Sequence, residues 1–210
     1  MLQDNMAEMY STSLKQIPLW SKETLTFPLP QQILKLNKQL ISVLVAKFQR
    51  KNPRIKDFYI GGSSALILQD YLAKSTISDI DIYCNEQEVS DVIQIDIIKR
   101  DIFPPGWRER VIEINGYKVI SAFDVTCTMA CCYVKPKISR RTALMWMLQE
   151  FDLNDIKQAI QAKLDSGIGV TESDFKSVEA FNKYITQDVI EKHKNPQEDL
   201  IKQLQMLQNV

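Results

Sequence analysis

Two adjacent glycines, Gly61 and Gly62, constrain the fold of this chain more than any other feature of its sequence. They follow a short apolar run and precede Ser63 and Ser64, which are residue types that commonly begin a helix. Glycine permits a sharp turn and a close approach of the backbone to other groups. This order predicts a strand that ends at the glycines, a tight turn, and a helix that begins at the serines. The free N–H groups at such a helix start form a site for an anion such as phosphate.

The second informative stretch is Ser78-Asp79-Ile80-Asp81-Ile82-Tyr83, in which acidic and apolar residues alternate. Alternation with a period of two is typical of a strand that is buried on one face. Residues two apart share a face, so Asp79 and Asp81 are expected to point the same way, with Cα atoms roughly 6.5 to 7 Å apart. Two carboxylates at this separation suit a pair of divalent cations about 3.5 to 4 Å apart. The two stretches together predict a phosphate site beside a metal site, which suits nucleotidyl transfer.

The order of these motifs resembles a known signature. Gly61-Gly62-Ser63-Ser64, an intervening helix and Asp79-Ile80-Asp81-Ile82 are similar to the signature of the DNA polymerase beta-like nucleotidyltransferase superfamily. The form Gly-Gly-x-x-Ala-Leu, with the basic Lys74 followed by Ser75 and Thr76 before the acids, resembles small nucleotidyltransferases of abortive-infection and toxin–antitoxin systems. The resemblance covers residues 57 to 126.

The resemblance implies a function and a set of site residues. The expected reaction is metal-dependent transfer of a nucleoside monophosphate from an NTP to a hydroxyl acceptor on RNA, a protein or a small molecule. Asp79 and Asp81 would hold Mg²⁺ or Mn²⁺ against the phosphates. In the superfamily a third carboxylate lies on a strand beside the acid-x-acid strand, and Asp124 is the position expected to match it as catalytic and metal-binding residue. The expected nucleotide-binding residues are Gly61, Gly62, Ser63 and Ser64.

The neighbouring stretches predict the elements around these motifs. Apolar residues at i+3 and i+4 spacing predict a helix over residues 30–50. A second helix is expected over residues 86–99, with its Val and Ile residues turned inward. The dipeptide Asn115-Gly116 between two apolar runs predicts a hairpin with a type I′ turn. Asp124 falls in the expected second strand of that hairpin.

From residue 138 onward the chain is expected to be helical. Asp152 is the predicted N-cap of one helix, and Gly167 is its predicted end. Thr171 or Ser173 is expected to begin the next helix. That helix is expected to turn Phe181, Ile185 and Val189 inward.

The predicted fold class is therefore α/β (α+β). We expect a small, nucleotidyltransferase-like mixed sheet with flanking helices, followed by a helical C-terminal region. The predicted division is an N-terminal extension over residues 1–29, a catalytic domain over residues 30–135 and the helical region over residues 136–210. A length of 210 residues suits one ordinary domain or two small ones.

The composition limits the partners and the compartment. The chain has 26 Lys plus Arg and 26 Asp plus Glu, so its overall charge favours no polyanionic partner. Its first residues lack the basic and apolar regions of a signal peptide, and no apolar run is long enough for a membrane span. A cytoplasmic protein with reduced thiols is expected. The only histidine is His193, which disfavours a Ser-His or Cys-His nucleophile.

The three clustered cysteines are expected to be structural. Cys127, Cys131 and Cys132 lack a second Cys or His pair that would complete a tetrahedral metal site. A free cysteine behaves as a small hydrophobe, so buried thiols in a strand are predicted.

Several alternatives stay open. The glycine turn is also compatible with an ordinary strand-to-helix connection. The pair Asp79 and Asp81 is compatible with an exposed strand face or a turn, and Asp124 with an acid at the end of a strand. The chain is also compatible with a catalytically inactive nucleotidyltransferase-fold module that binds a nucleotide or a protein, as an antitoxin-like partner would. The five basic residues from Lys47 to Lys56 suit either a solvated helix end or a nucleic-acid contact.

Overall fold

The computed structural model describes residues 29–72, 74, 77–86, 88–134 and 138–192. Within these ranges the chain forms five strands and seven α-helices, with both parallel and antiparallel strand pairs, which confirms the α+β class. The chain divides into two compact units between Ile98 and Lys99. The predicted domain boundaries at residues 29 and 135 stay predictions. Residues 1–28 of the predicted N-terminal extension and residues 193–210 of the predicted helical region lie outside the described residues.

The first described element of the first unit is the long helix α1, Leu29–Lys51, which confirms the helix predicted over residues 30–50. Its buried face carries apolar side chains at helical spacing. These include Ile33, Ile41, Leu44, Val45 and Phe48. The same face also buries the amide of Asn37 completely.

Strand β1, Tyr59–Gly61, runs directly into helix α2, Gly62–Leu68, as the glycine motif predicts. The helix ends at Leu68, because Asp70 adopts a left-handed backbone conformation with φ 65°. The N–H of Tyr71 donates to the carbonyl of Leu66 and the N–H of Asp70 to that of Ile67, at 2.9 and 3.1 Å. These two bonds form a Schellman motif, which usually has glycine in the left-handed position.

Strand β2, Ile80–Tyr83, pairs antiparallel with β1 and parallel with β3, Ile95–Ile98. The helix predicted over residues 86–99 is therefore wrong. Val92 and Ile95 form a bridge around a turn in which Gln94 has φ 69°, and the side chain of Ile93 is 80% exposed. The Ile residues of this stretch are β-branched and pack well in a strand, which explains why helical spacing misled the prediction.

The second unit opens with a short 3₁₀-helix, Trp107–Arg110, and a hairpin of β4, Ile112–Ile114, and β5, Tyr117–Val119. Asn115 and Gly116 have φ 52° and 76°, which confirms the predicted turn with two left-handed residues. The expected continuation of β5 to Asp124 is wrong.

The chain leaves β5 before Asp124 and enters helix α3, Ala122–Ala130. Ser121 is the N-cap of α3, since its hydroxyl accepts a hydrogen bond from the N–H of Asp124. A capping serine three residues before an acid is a helix-start signal, and it overrides the β propensity of the apolar run before it.

Four helices complete the second unit: α4, Ile138–Met147; α5, Leu153–Ser166; α6, Glu172–Tyr184; and α7, Gln187–Glu191. Asp152 caps α5 and Gly167 ends it with φ 66°, as predicted. Thr171 begins α6 through a reciprocal capping box with Asp174. Of the residues expected to face inward, Phe181 and Ile185 are buried, whereas Val189 is 41% exposed.

The four cysteines, all in the described part of the chain, form no disulfide. Cys127 and Cys131 are buried as predicted, but Cys127 lies in α3 rather than in a strand. Burial raises the pKa of Cys131 to about 12 and also raises the pKa of Cys127. Among the described helices, none combines the length and the apolar character that a membrane crossing requires.

Candidate functional site

The structure brings the glycine turn and the acid strand of the first unit together. Gly61 and Asp81 are register partners in the β1–β2 pair. Gly62 has φ 53°, and a Cβ atom added to it would lie 1.7 Å from Oδ2 of Asp81. The carboxylate of Asp81 therefore lies directly against the backbone at the start of α2, in space that exists only because residue 62 has no side chain.

Lys74 also reaches this turn. Its ammonium group donates a hydrogen bond of 2.8 Å to the hydroxyl of Ser63. The main chain of Lys74 is in turn held by the buried side chain of Asn37. The turn thus has the carboxylate of Asp81 at Gly62 and the ammonium group of Lys74 at Ser63.

The two predicted metal-binding acids have different surroundings. Asp81 lies in β2 and is half-buried, whereas Asp79 precedes the strand and is exposed. The hydroxyl of Ser78 donates to Oδ1 of Asp79 at 2.7 Å. A shared face for the two acids stays a prediction, because Asp79 lies just outside the regular strand.

A third acid, Asp96, lies beside Asp81 and was missed in the sequence. Asp81 and Asp96 are register partners in the parallel β2–β3 pair, so their side chains project from the same face of the sheet. Neighbouring strands are about 4.8 Å apart, so the two side chains start close enough together for both carboxylates to reach one cation. Asp96 is exposed between the apolar residues Ile95 and Ile97. That same acid–apolar alternation was the signal that could have identified it.

The remaining predicted nucleotide-binding residues face the interior. Ser64 is 1% exposed, and its buried hydroxyl has no hydrogen-bond partner among the described residues. A Cβ atom on Gly61 would lie 2.1 Å from the ring of Tyr83, so this glycine is needed for packing under that ring. Their nucleotide-binding roles stay predictions that depend on their main-chain groups.

Asp124 belongs to the second unit and has a complete set of local partners. Its carboxylate is fully buried and forms an ion pair of 2.6 Å with Arg110. The Nε of Arg110 also donates to both carboxylate oxygens, at 3.2 and 3.1 Å, and the hydroxyl of Ser121 donates at 2.5 Å. The hydrogen bonds that Arg110 donates to Asp124 raise the pKa of Arg110. The placement of Asp124 in a strand is wrong, whereas its catalytic and metal-binding role stays a prediction.

Among the described residues, no group of three or more His, Cys, Asp or Glu side chains is arranged to hold a metal ion. Mg²⁺ in nucleotide sites commonly takes only one or two protein carboxylates and completes its shell with phosphate oxygens and water. The adjacent carboxylates of Asp81 and Asp96 suit that mode of binding.

Comparison with known proteins adds no relative. No protein-family model matches the chain, and neither a curated protein nor a solved structure matches it. The resemblance to nucleotidyltransferases therefore depends on the residues of this chain alone.

Proposed function

We propose that the protein transfers a nucleoside monophosphate from an NTP to a hydroxyl acceptor with the help of Mg²⁺ or Mn²⁺. The observation that carries the proposal is the contact between Asp81 and Gly62, with Asp96 as the register partner of Asp81. A strand-to-helix turn and an acidic strand face are common separately. Their direct contact, with the ammonium group of Lys74 at the same turn, supports a site for a metal-bound triphosphate.

In the proposed reaction the acceptor oxygen forms a bond to the α-phosphorus of the NTP. The bond from that phosphorus to the oxygen that bridges it to the β-phosphorus breaks, and pyrophosphate leaves. The proton of the acceptor hydroxyl passes to a nearby carboxylate, for which Asp96 is the exposed candidate. Displacement of this kind depends mainly on positioning and charge neutralisation, so it needs no histidine.

Each residue of the site has a proposed role. Asp81 and Asp96, assisted by Asp79, would hold the divalent ion, which would supply neutralisation of the phosphate charge when bound. The ammonium group of Lys74 and the hydroxyl and N–H of Ser63 would bind the β- and γ-phosphates of the leaving group. Gly62 leaves the space in which the Asp81 carboxylate lies.

The proposal is tested by pyrophosphate release from each of the four NTPs with Mg²⁺ or Mn²⁺. Asp81→Asn and Asp96→Asn keep the size of the side chain and remove its charge, and we expect each to lower the rate at least roughly a hundredfold. Glu86→Gln removes an exposed acid of the same unit and serves as the matched control. Release by Asp81→Asn at the rate of the unmodified protein would refute the proposed site.

The inactive binding module predicts metal-dependent NTP binding without pyrophosphate release by the unmodified protein. A transferase without its acceptor would also bind NTP without releasing pyrophosphate. The assay is therefore repeated with candidate acceptors, and only the inactive module releases no pyrophosphate with any of them.

A second candidate function, nucleic-acid binding, is favoured by the charge of α1 and the turn after it. Residues 29–56 contain seven Lys or Arg and no Asp or Glu, although the chain as a whole has equal numbers of both charges. Lys51, Arg54 and Lys56 are exposed. Binding through these residues would weaken steeply with salt and would not require Mg²⁺ or an NTP. Fluorescence titration of a short RNA at 50 and 200 mM salt distinguishes this function from nucleotidyl transfer.

A further inference from the structure

Asn37 is a polar residue in an apolar position. It lies on the core face of α1 between Ile33 and Ile41, and its side chain is fully buried. A buried amide destabilises a protein unless its donor and acceptor are both satisfied. Leucine would favour the helix more at this position. The presence of asparagine therefore requires an explanation from its contacts.

Both ends of the Asn37 amide bind the main chain of one residue, Lys74. The Nδ2 of Asn37 donates to the carbonyl of Lys74, and the N–H of Lys74 donates to Oδ1 of Asn37, each at 2.9 Å. Two antiparallel bonds of this kind fix both the position and the orientation of the main chain at residue 74. An asparagine side chain carries an NH₂ donor and a carbonyl acceptor side by side, and here one N–H and the oxygen bind the carbonyl and the N–H of the same residue.

The side chain of Lys74 transmits this constraint to the glycine turn. Its ammonium group donates to the hydroxyl of Ser63, the residue after Gly62. Lysine has a flexible stem with four rotatable bonds, so the location of its charge depends on how firmly its main chain is held. Because Asn37 holds that main chain, helix α1 determines the position of the Lys74 ammonium group in the candidate site.

We infer that Asn37 is a positioning residue for polyphosphate binding: it holds Lys74 so that the ammonium group stands at Ser63 and contacts the phosphates of an NTP. This inference rests on the proposed function. Its physical basis is preorganisation, since a cation fixed before binding loses less conformational entropy when the phosphate arrives.

The test is a double-mutant cycle on the full chain, with magnesium tripolyphosphate as the probe. Asn37→Leu removes both bonds and keeps the number and branching of the side-chain heavy atoms, and Lys74→Met removes the charge but keeps most of the stem. The matched control is Lys38→Met, since Lys38 follows Asn37 in α1 but pairs with Asp70 at 2.6 Å rather than with Lys74. Dissociation constants come from calorimetric titration, and thermal unfolding without the probe confirms that each variant is folded.

We expect Lys74→Met to weaken tripolyphosphate binding roughly tenfold, which corresponds to one charge-assisted contact. Asn37→Leu should weaken binding severalfold, and the double variant should bind no more weakly than Lys74→Met, because Asn37 acts only through Lys74. Lys38→Met should bind as the unmodified protein does. If Asn37→Leu does not fold, Asn37→Ser, whose short side chain cannot reach both main-chain groups, replaces it.

Two results would overturn the inference while leaving the proposed function intact. One is normal binding by the folded Asn37 variant together with weak binding by Lys74→Met. The other is a double variant whose loss is the product of the two single losses, since Asn37 would then act independently of Lys74. Absence of tripolyphosphate and NTP binding by the unmodified protein would overturn the inference and the proposed function together.

Discussion

Replacing Asp124 with asparagine separates a structural role from a metal-binding one. Asp124→Asn keeps the shape of the side chain but removes the charge that pairs with Arg110. Removing one partner of a buried ion pair typically costs about 3 to 5 kcal/mol. The side chain of Arg110 is 37% exposed, so water partly replaces its lost partner, and we expect a loss of about 2 to 3 kcal/mol at neutral pH.

Urea denaturation of the full chain, followed by circular dichroism, measures this loss. The matched control is Glu172→Gln, which breaks the exposed pair of Glu172 with Lys176, whose side chains are 83% and 67% exposed. That change should cost no more than about 0.5 kcal/mol. Combining Asp124→Asn with Arg110→Met should cost less than the sum of the two single losses, since both variants break the same pair.

A small loss of stability with a large loss of NTP binding would support the predicted metal-binding role of Asp124. If Asp124→Asn changed the free energy of unfolding by less than about 1 kcal/mol but abolished Mg²⁺-dependent NTP binding, the argument from buried contacts would be refuted. Asp124 would then be a functional carboxylate despite its ion pair with Arg110.

Two further outcomes follow from the backbone and the thiols. Gly62→Ala and Gly116→Ala each force alanine into a left-handed conformation, which should lower the free energy of unfolding by about 1 to 2 kcal/mol. Only Gly62→Ala should also lower nucleotide turnover, because its Cβ displaces Asp81 whereas Gly116 faces open space. Equal turnover in both variants would contradict the contact between Gly62 and Asp81. Burial holds the pKa of Cys131 at about 12, above its ordinary value of 9.0, so the folded state keeps a proton that the unfolded state releases. The free energy of unfolding should therefore be unaffected by this thiol below pH 9 and should fall between pH 9 and 12, by up to about 1.4 kcal/mol per pH unit. In urea denaturation across that range, the free energy of unfolding of Cys131→Ala should fall less steeply with pH. The same dependence on pH in both proteins would refute the argument.

The sequence predicted the structure correctly where a single residue type determines the local backbone conformation. Gly62 and Gly116 adopt positive φ angles at the positions where a turn was predicted. Asp152 and Thr171 cap the helices that they were expected to begin. Each of these predictions depends on a conformation or a hydrogen bond that involves only residues close together in the sequence.

The predictions failed where the partner of a segment is distant in the sequence. The spacing of apolar residues before Asp96 fits a helix, and only pairing with β2 shows that the segment is a strand. Asp124 is a different case, since it was assigned to a strand because it ends an apolar run, although Ser121, three residues before it, begins a helix there. No periodicity reveals that Asn37 holds Lys74, since this contact joins residues 37 positions apart.

The position of the radioactive label after incubation with labelled NTP decides whether this site performs nucleotidyl transfer. The protein is incubated with Mg²⁺ and an NTP labelled at the α- or the γ-phosphate, with RNA, protein and small-molecule hydroxyl acceptors. We predict that the α-label moves to an acceptor and the γ-label appears in pyrophosphate, and that both events are lost in Asp81→Asn. Transfer of the γ-label to the acceptor, or transfer of the α-label by Asp81→Asn at an undiminished rate, would contradict the proposed function.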